Sequence, residues 1–427
     1  MTGVGKIGKM VVQALVTKKL KPRFNFCVGK IKAAMTSTKS LKVFWKIVFF
    51  PLTFSLSLLL AFFKSFLILI LPQRTYVNLV YIFQQMFIDI AQRGIGLPTA
   101  LKRASLRNEL LTKGAQTQKS YGDKNPDLTF YVIRPYYFLQ PNVLIYRNVA
   151  NLLTQYYYVL QKLSYALENG YIPVVDWKNY GLMPHAENYP VNGTENSWEY
   201  YWTQPSSFTL EEVYQSKNVI LSTQNIGDFG YIPHCSMAPP YDKYAHDLAE
   251  QCPPYLKNVH LNEITENYVS DAQKELFPEG KRIMGVVLRG AAYGHGGTPY
   301  RSHPQQVGME ELKKTIWELL DEWGMDLVFF VNEMQEMVDE MREEFGDRLI
   351  VLPRMRDTFE RPMDGITKNP MYYDGNRYQT NLDYVTEIAL LSRCDTLIGS
   401  MSSGMRTALI WNAQKYEHTY VFDKGLW

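Results

Sequence analysis

Past residue 280 the chain alternates between two periods. Short apolar runs, IMGVVL (283–288), DLVFFV (326–331), RLIVL (348–352), DTLIG (395–399) and TYVFD (419–423), read as strands. Between them apolar residues recur three and four apart, which predicts helices over 309–323, 333–345, 382–393 and 405–412. Short apolar strands alternating with amphipathic helices make an open parallel sheet covered on both faces.

The same alternation, in a shorter form, occurs upstream. DLTFYVIR (127–134) reads as a strand, and Leu152, Tyr156, Val159, Leu160, Leu163 and Leu167 mark one face of a helix that stops at Asn169-Gly170. YIPVVDW (171–177) follows as a second strand, and strand, helix, strand is the unit of a parallel sheet. Phe277-Pro278-Glu279-Gly280 divides the two patterns into halves, 127–280 and 281–427, because proline and glycine together end regular structure. NSWEYYWTQP (196–205) is dense in aromatics and reads as packing beneath a loop, with an acceptor platform as the alternative.

The first hundred residues follow neither period. Residues 1–46 carry eleven basic side chains and no acidic one, and the first acid in the chain is Asp89. IVFFPLTFSLSLLLAFF (47–63) then runs seventeen residues without a charge, and SFLILIL (65–71) continues it beyond Lys64. A bilayer core needs roughly 20 apolar residues, so 47–71 is long enough if Lys64 snorkels. Pro51 and Lys64 interrupt the run, which leaves a re-entrant hairpin open beside a full span. Residues 76–94 repeat apolar positions at helical spacing, as a helix lying in the interface does. The expected layout is therefore a basic arm (1–46), a membrane-associated helical region (47–94) in contact with lipid through residues 1–94, and the two α/β halves, with the arm on the side of anionic lipid.

Composition changes this picture little. The chain has 427 residues, 46% of them hydrophobic, and a net charge of +3, too small for a general nucleic-acid binder. At roughly 150 residues per domain, that length allows two or three domains. The four cysteines, Cys27, Cys235, Cys252 and Cys394, show no zinc spacing, so no metal site is expected. A disulfide between Cys235 and Cys252 is left open.

The candidate chemistry lies where two strands end. In an open parallel sheet ligands bind beyond the carboxyl ends of the strands. After the strand 283–288 come Arg289, a planar cation suited to phosphate, and a loop rich in glycine from Gly290 to Gly297. After 395–399, Ser402, Ser403 and Gly404 open a helix whose unpaired N–H groups favour an anion. Together these two segments read as a cradle for a diphosphate that uses no metal. His303, held extended by Pro304, is open to two readings, one in which its imidazole points into the same cleft and one in which it faces solvent.

At these residues the chain resembles a known group. EIALLSRCDTLIGSMSSGMRTALIWN (387–412) together with VVLRG (286–290) looks like the donor domain of the fucosyltransferase superfamily that includes nodulation, core-glycan and protein O-fucosyltransferases. LENGYIPVVDWKNY (167–180), ENSWEYYW (195–202) and SHPQQ (302–306) are similar to its bacterial polysaccharide branch. The resemblance implies a GT-B-like architecture of two Rossmann-like halves, the C-terminal one holding a nucleotide sugar. It implies Arg289 as the catalytic cation at the donor pyrophosphate, Ser402 and Ser403 bonding phosphate, and Glu387 facing the nucleotide. GDP-fucose is the donor it implies, a glycan or oligosaccharide the acceptor, and the transfer is inverting with no metal and no cofactor.

Two departures stand out. Ala291-Ala292 occupies the place of the relatives' Thr-Asp, and PNVLIYRNV (141–149) lacks their glycines. An inactive nucleotide-sugar binding module, or a membrane-tethered scaffold of a polysaccharide assembly complex, is the alternative function. Because bacterial nucleotide sugars are cytoplasmic, the expected location is a bacterial inner membrane with the halves in the cytoplasm; a Golgi membrane with them in the lumen is the alternative.

Overall fold

Asn151 starts the first half's principal helix. Its extended backbone (φ −61°, ψ 165°) lets its side chain accept the Thr154 N–H at 2.9 Å, which caps Leu152–Glu168. The helix stops at Asn169, and Gly170 turns the chain at φ +71°, a left-handed conformation that glycine adopts without strain. The computed structural model describes residues 96–113, 117–136, 151–180, 186–187, 189–222, 240–289, 304–358 and 377–426, with Ile82, Met86 and Ile90. The basic arm and, apart from those three helical positions, the membrane-associated segment lie outside them. Among the described residues no helix is long and apolar enough to cross a membrane. The elements below belong to one compact unit, Val80–Trp427.

The first sheet contains β1 (Thr117–Lys119), β2 (Lys124–Ile133), β3 (Ile172–Val175) and β4 (Ser216–Leu221), in the order β1-β4-β2-β3. β2 pairs in parallel with β3 and β4, and β1 runs antiparallel to β4 at the edge. The second sheet contains β5 (Ile283–Val287), β6 (Leu327–Val331), β7 (Leu349–Ile350), β8 (Thr396–Ser400) and β9 (His418–Phe422). Its order is β7-β6-β5-β8-β9, and every pair is parallel. The fold is therefore mixed α/β with parallel sheets. Helices Met309–Trp323, Gln335–Phe345, Arg377–Leu391 and Ser403–Asn412 alternate with these strands.

Alternation along each strand sends side chains to two layers. On β2, Tyr131 and Ile133 enter one apolar cluster while Phe130 and Val132 enter another. On β5, Ile283 and Val287 enter that same first cluster, and Met284 and Val286 face the opposite side. The shared cluster is thus a single layer between the sheets, filled by Leu152–Glu168 from one half and by Arg377–Leu391 and Ser403–Asn412 from the other. Trp177, Trp198 and Trp202 are buried in it, which fits the reading of 196–205 as packing.

Polar bonds cross the same seam. Trp411 Nε1 donates to the Tyr156 hydroxyl at 2.8 Å, and Thr154 Oγ1 lies 2.8 Å from Ser403 Oγ. Of the two cysteines whose pairing was left open, Cys252 has a buried, free thiol, and Cys235 lies outside the described residues.

Candidate functional site

The second sheet reverses its strand order at β5. From β5 the chain winds outward through β6 and β7, then returns to place β8 on the other side of β5. At such a point the connections leave in opposite directions and open a crevice at the carboxyl ends. Val287 is paired with Gly399, so Arg289, two residues beyond Val287, and Ser402, two beyond Ser400, emerge on one edge. The pairing is close: a Cβ on Gly399 would sit 2.3 Å from the Val287 carbonyl oxygen.

Gln306 ties the two strand ends together. Its Oε1 accepts the Arg289 N–H at 3.2 Å, and its Nε2 donates to the carbonyls of Met401 and Pro304, each at 3.3 Å. Next to it, the Val307 N–H donates to Ser400 Oγ at 3.0 Å. Arg289, half-buried, is therefore anchored through its backbone to the segment that also anchors the start of the serine loop.

The helix Ser403–Asn412 presents its amino end to this edge. Ser402, extended at φ −154°, accepts the Met405 N–H on its hydroxyl at 3.1 Å, and the Arg406 N–H bonds the Ser402 carbonyl. The N–H groups of Ser403 and Gly404 have no hydrogen-bond partner among the described residues. Unpaired donors at a helix start, with the dipole behind them, attract an anion. Gly404 lacks a side chain for a packing reason: a Cβ would lie 3.1 Å from Ile388 Cδ1 and 3.3 Å from the Tyr384 hydroxyl.

Two of these residues are engaged within the fold. Ser403 is bonded through its hydroxyl to Thr154 in the seam, so its backbone, not its side chain, is what it offers the edge. Glu387 does not face an open site: it is 0% exposed, and its Oε1 accepts Arg354 Nε at 2.7 Å and Arg356 Nη2 at 3.3 Å. Burial pushes its carboxyl above the usual range against the pull of both guanidinium groups. Gly290 and His303 lie outside the described residues.

That buried pair of arginines was absent from the sequence reading. Arg354 and Arg356 follow β7, and both reach the Asn332 carbonyl, at 3.2 and 3.3 Å. Asn332, at the end of β6, donates in turn to the Leu288 carbonyl at 2.8 Å. The carboxyl ends of β5, β6 and β7 are thus joined by one polar chain carrying two guanidinium groups and one carboxyl. Glu333 and Asp383 also act on Arg354, so the guanidinium groups are answered by more than one carboxylate. Arg-x-Arg just after an apolar run, the same signal that marked Arg289, was available in LPRMRD (352–357).

In the first half, Asp176 ends β3 as a structural residue. It is buried, and its carboxylate accepts the Asn179 N–H at 2.9 Å and the Tyr214 hydroxyl at 2.6 Å. Among the described residues no group of three His, Cys, Asp or Glu side chains is placed to hold a metal ion.

No protein-family model matches the chain. No curated protein matches it either. Solved structures are similar at a general level. The fucosyltransferase NodZ from Bradyrhizobium is 14% identical, with 66% of this chain and 92% of that one covered at a TM-score of 0.35. NodZ α-1,6-fucosyltransferase soaked with GDP-fucose gives 14%, 66%, 92% and 0.36. POFUT1 in complex with GDP is 11% identical, covering 69% of this chain and 99% of that one at 0.36. Likeness at this level carries no statement about the site.

Proposed function

We propose that this chain is a glycosyltransferase that holds the diphosphate of a nucleotide sugar between Arg289 and the amino end of the helix Ser403–Asn412. The observation that supports the proposal is the Gln306 tie, which bonds the backbones of Arg289 and Met401 beside the reversal of strand order. Departure of a nucleoside diphosphate builds negative charge on the leaving oxygen. A guanidinium and unpaired N–H groups brought to that diphosphate would stabilise the charge with little reorganisation during the reaction.

GDP-fucose, or a related GDP-sugar, is the donor implied by the resemblance of 387–412 and 286–290, with a glycan as acceptor and an inverting transfer that needs no metal. The basic arm and the uncharged run place the enzyme on a membrane surface through residues 1–94, with the two halves in the cytoplasm. Ala291-Ala292 favours a second reading, a module that binds the nucleotide sugar and transfers nothing.

One assay separates them. The full chain is tested with a panel of GDP- and UDP-sugars for binding, hydrolysis and transfer. Arg289→Ala is expected to lower turnover about 100-fold or more with the circular dichroism spectrum unchanged. Normal turnover in that variant removes Arg289 from the mechanism, and saturable binding without turnover in the parent chain selects the second reading.

A further inference from the structure

A second cleft lies on the opposite edge of the second sheet. Ser392 and Arg393 precede β8, and Asn412 and Lys415 precede β9, so the residues they border stand at the amino ends of the strands, away from Arg289. The cleft encloses about 660 Å³ along the seam between the halves, a volume typical of small-molecule sites, and seams of this kind commonly host them. Tyr156 and Trp202 close its floor, each 1% exposed, and half-buried Trp411 forms a flat wall held by its bond to Tyr156.

The polar groups around this floor are chiefly donors. Arg393 is already engaged: Nη1 donates to Gln273 Oε1 and Nη2 to Glu266 Oε1, both at 2.7 Å. Its charge is thereby balanced by the one carboxylate in the lining. Lys257 and Lys415 are exposed at the rim and pair with no carboxylate among the described residues. The Trp202 indole N–H is buried with no hydrogen-bond partner.

We propose that this cleft binds a sugar ring bearing a carboxylate. A pyranose has an apolar C–H face that fits the Trp411 wall and, when carboxylated, a charge that answers Lys257 and Lys415. A neutral sugar leaves the two ammonium groups unanswered. The site does not depend on the donor reading, because it shares no residue with the Arg289 edge.

The test is calorimetric titration of the full chain in detergent with methyl β-D-glucuronide, with methyl β-D-glucoside as the uncharged control. Saturable binding of the glucuronide is expected, with the glucoside about tenfold weaker or worse, and a Lys257→Glu, Lys415→Glu double variant losing at least about tenfold. Both lysines are exposed, so the double variant should keep its unfolding midpoint. Saturating GDP and the Arg289→Ala substitution should leave glucuronide binding unchanged. Absence of saturable binding, equal affinity for the glucoside, full affinity in the double variant, or displacement by GDP would each overturn the assignment.

Discussion

Lys162 sits in the middle of Leu152–Glu168 with 2% of its surface exposed. Burial, reinforced by the charge of Arg134, brings its ammonium down from 10.5 to about 6. Between those two values the unfolded chain binds the proton and the folded chain does not, so stability rises with pH across that window. Urea unfolding of the parent chain between pH 6.5 and 9 should show this rise. Lys162→Met should flatten it by up to about 1.4 kcal/mol per pH unit, the limit for one proton. Equal slopes in the two proteins would show that Lys162 is charged in the fold. The sequence placed this lysine on the helix but gave no hint of its burial, since Lys162 follows apolar positions without breaking their period. The burial of Glu387, which the resemblance implies to face the nucleotide, is hidden in the sequence for the same reason. An acid on a helix near a strand end reads as exposed until the two arginines that cover it, 33 and 31 residues away in the chain, are seen beside it.

At the level of elements, the critical contact is β5 against β8. Gly399→Ala would push a methyl into the Val287 carbonyl at 2.3 Å, and backbone cannot yield as a side chain can. A loss of about 1–3 kcal/mol or more is expected by denaturant titration, as for other overpacked positions. Gln306→Ala should act differently. It removes the bonds to Arg289 and Met401 from a half-buried site, so GDP affinity should fall several-fold, on the order of 1 kcal/mol for lost hydrogen bonds, while the unfolding midpoint moves little. Unchanged affinity in that variant would mean the two strand ends hold position without it.

Most of the second sheet was legible because each strand is a short uninterrupted apolar run, and observed bounds differ from the expected ones by a few residues at each end. β4 has little signal because SKNVIL opens with three polar residues, and the helix Glu263–Leu276 fully buries only Thr265 and Val269. Of the site, Arg289 and the serine loop could be read from glycine and strand boundaries. Gln306 and Asn332 could not, since a lone amide in a loop carries no pattern until its partners are placed.

For the whole molecule, the decisive feature is the layer shared by the two sheets. Apolar residues of both halves form one cluster there, and Trp411, Tyr156, Thr154 and Ser403 stitch it with hydrogen bonds. Two halves with separate cores tend to melt separately, whereas a common core couples them. Calorimetry on the compact unit Val80–Trp427 within the full chain should therefore give a single transition for both sheets. Two resolved transitions would show that the seam is weaker than its burial indicates.

The same stitching limits how the protein can admit anything between its sheets. Proteins that swallow a ligand by swinging two lobes apart need a joint that parts cheaply, and here parting would bare three tryptophans and a bank of tyrosines to water. Anything that reaches the Arg289 edge therefore does so without the two sheets parting.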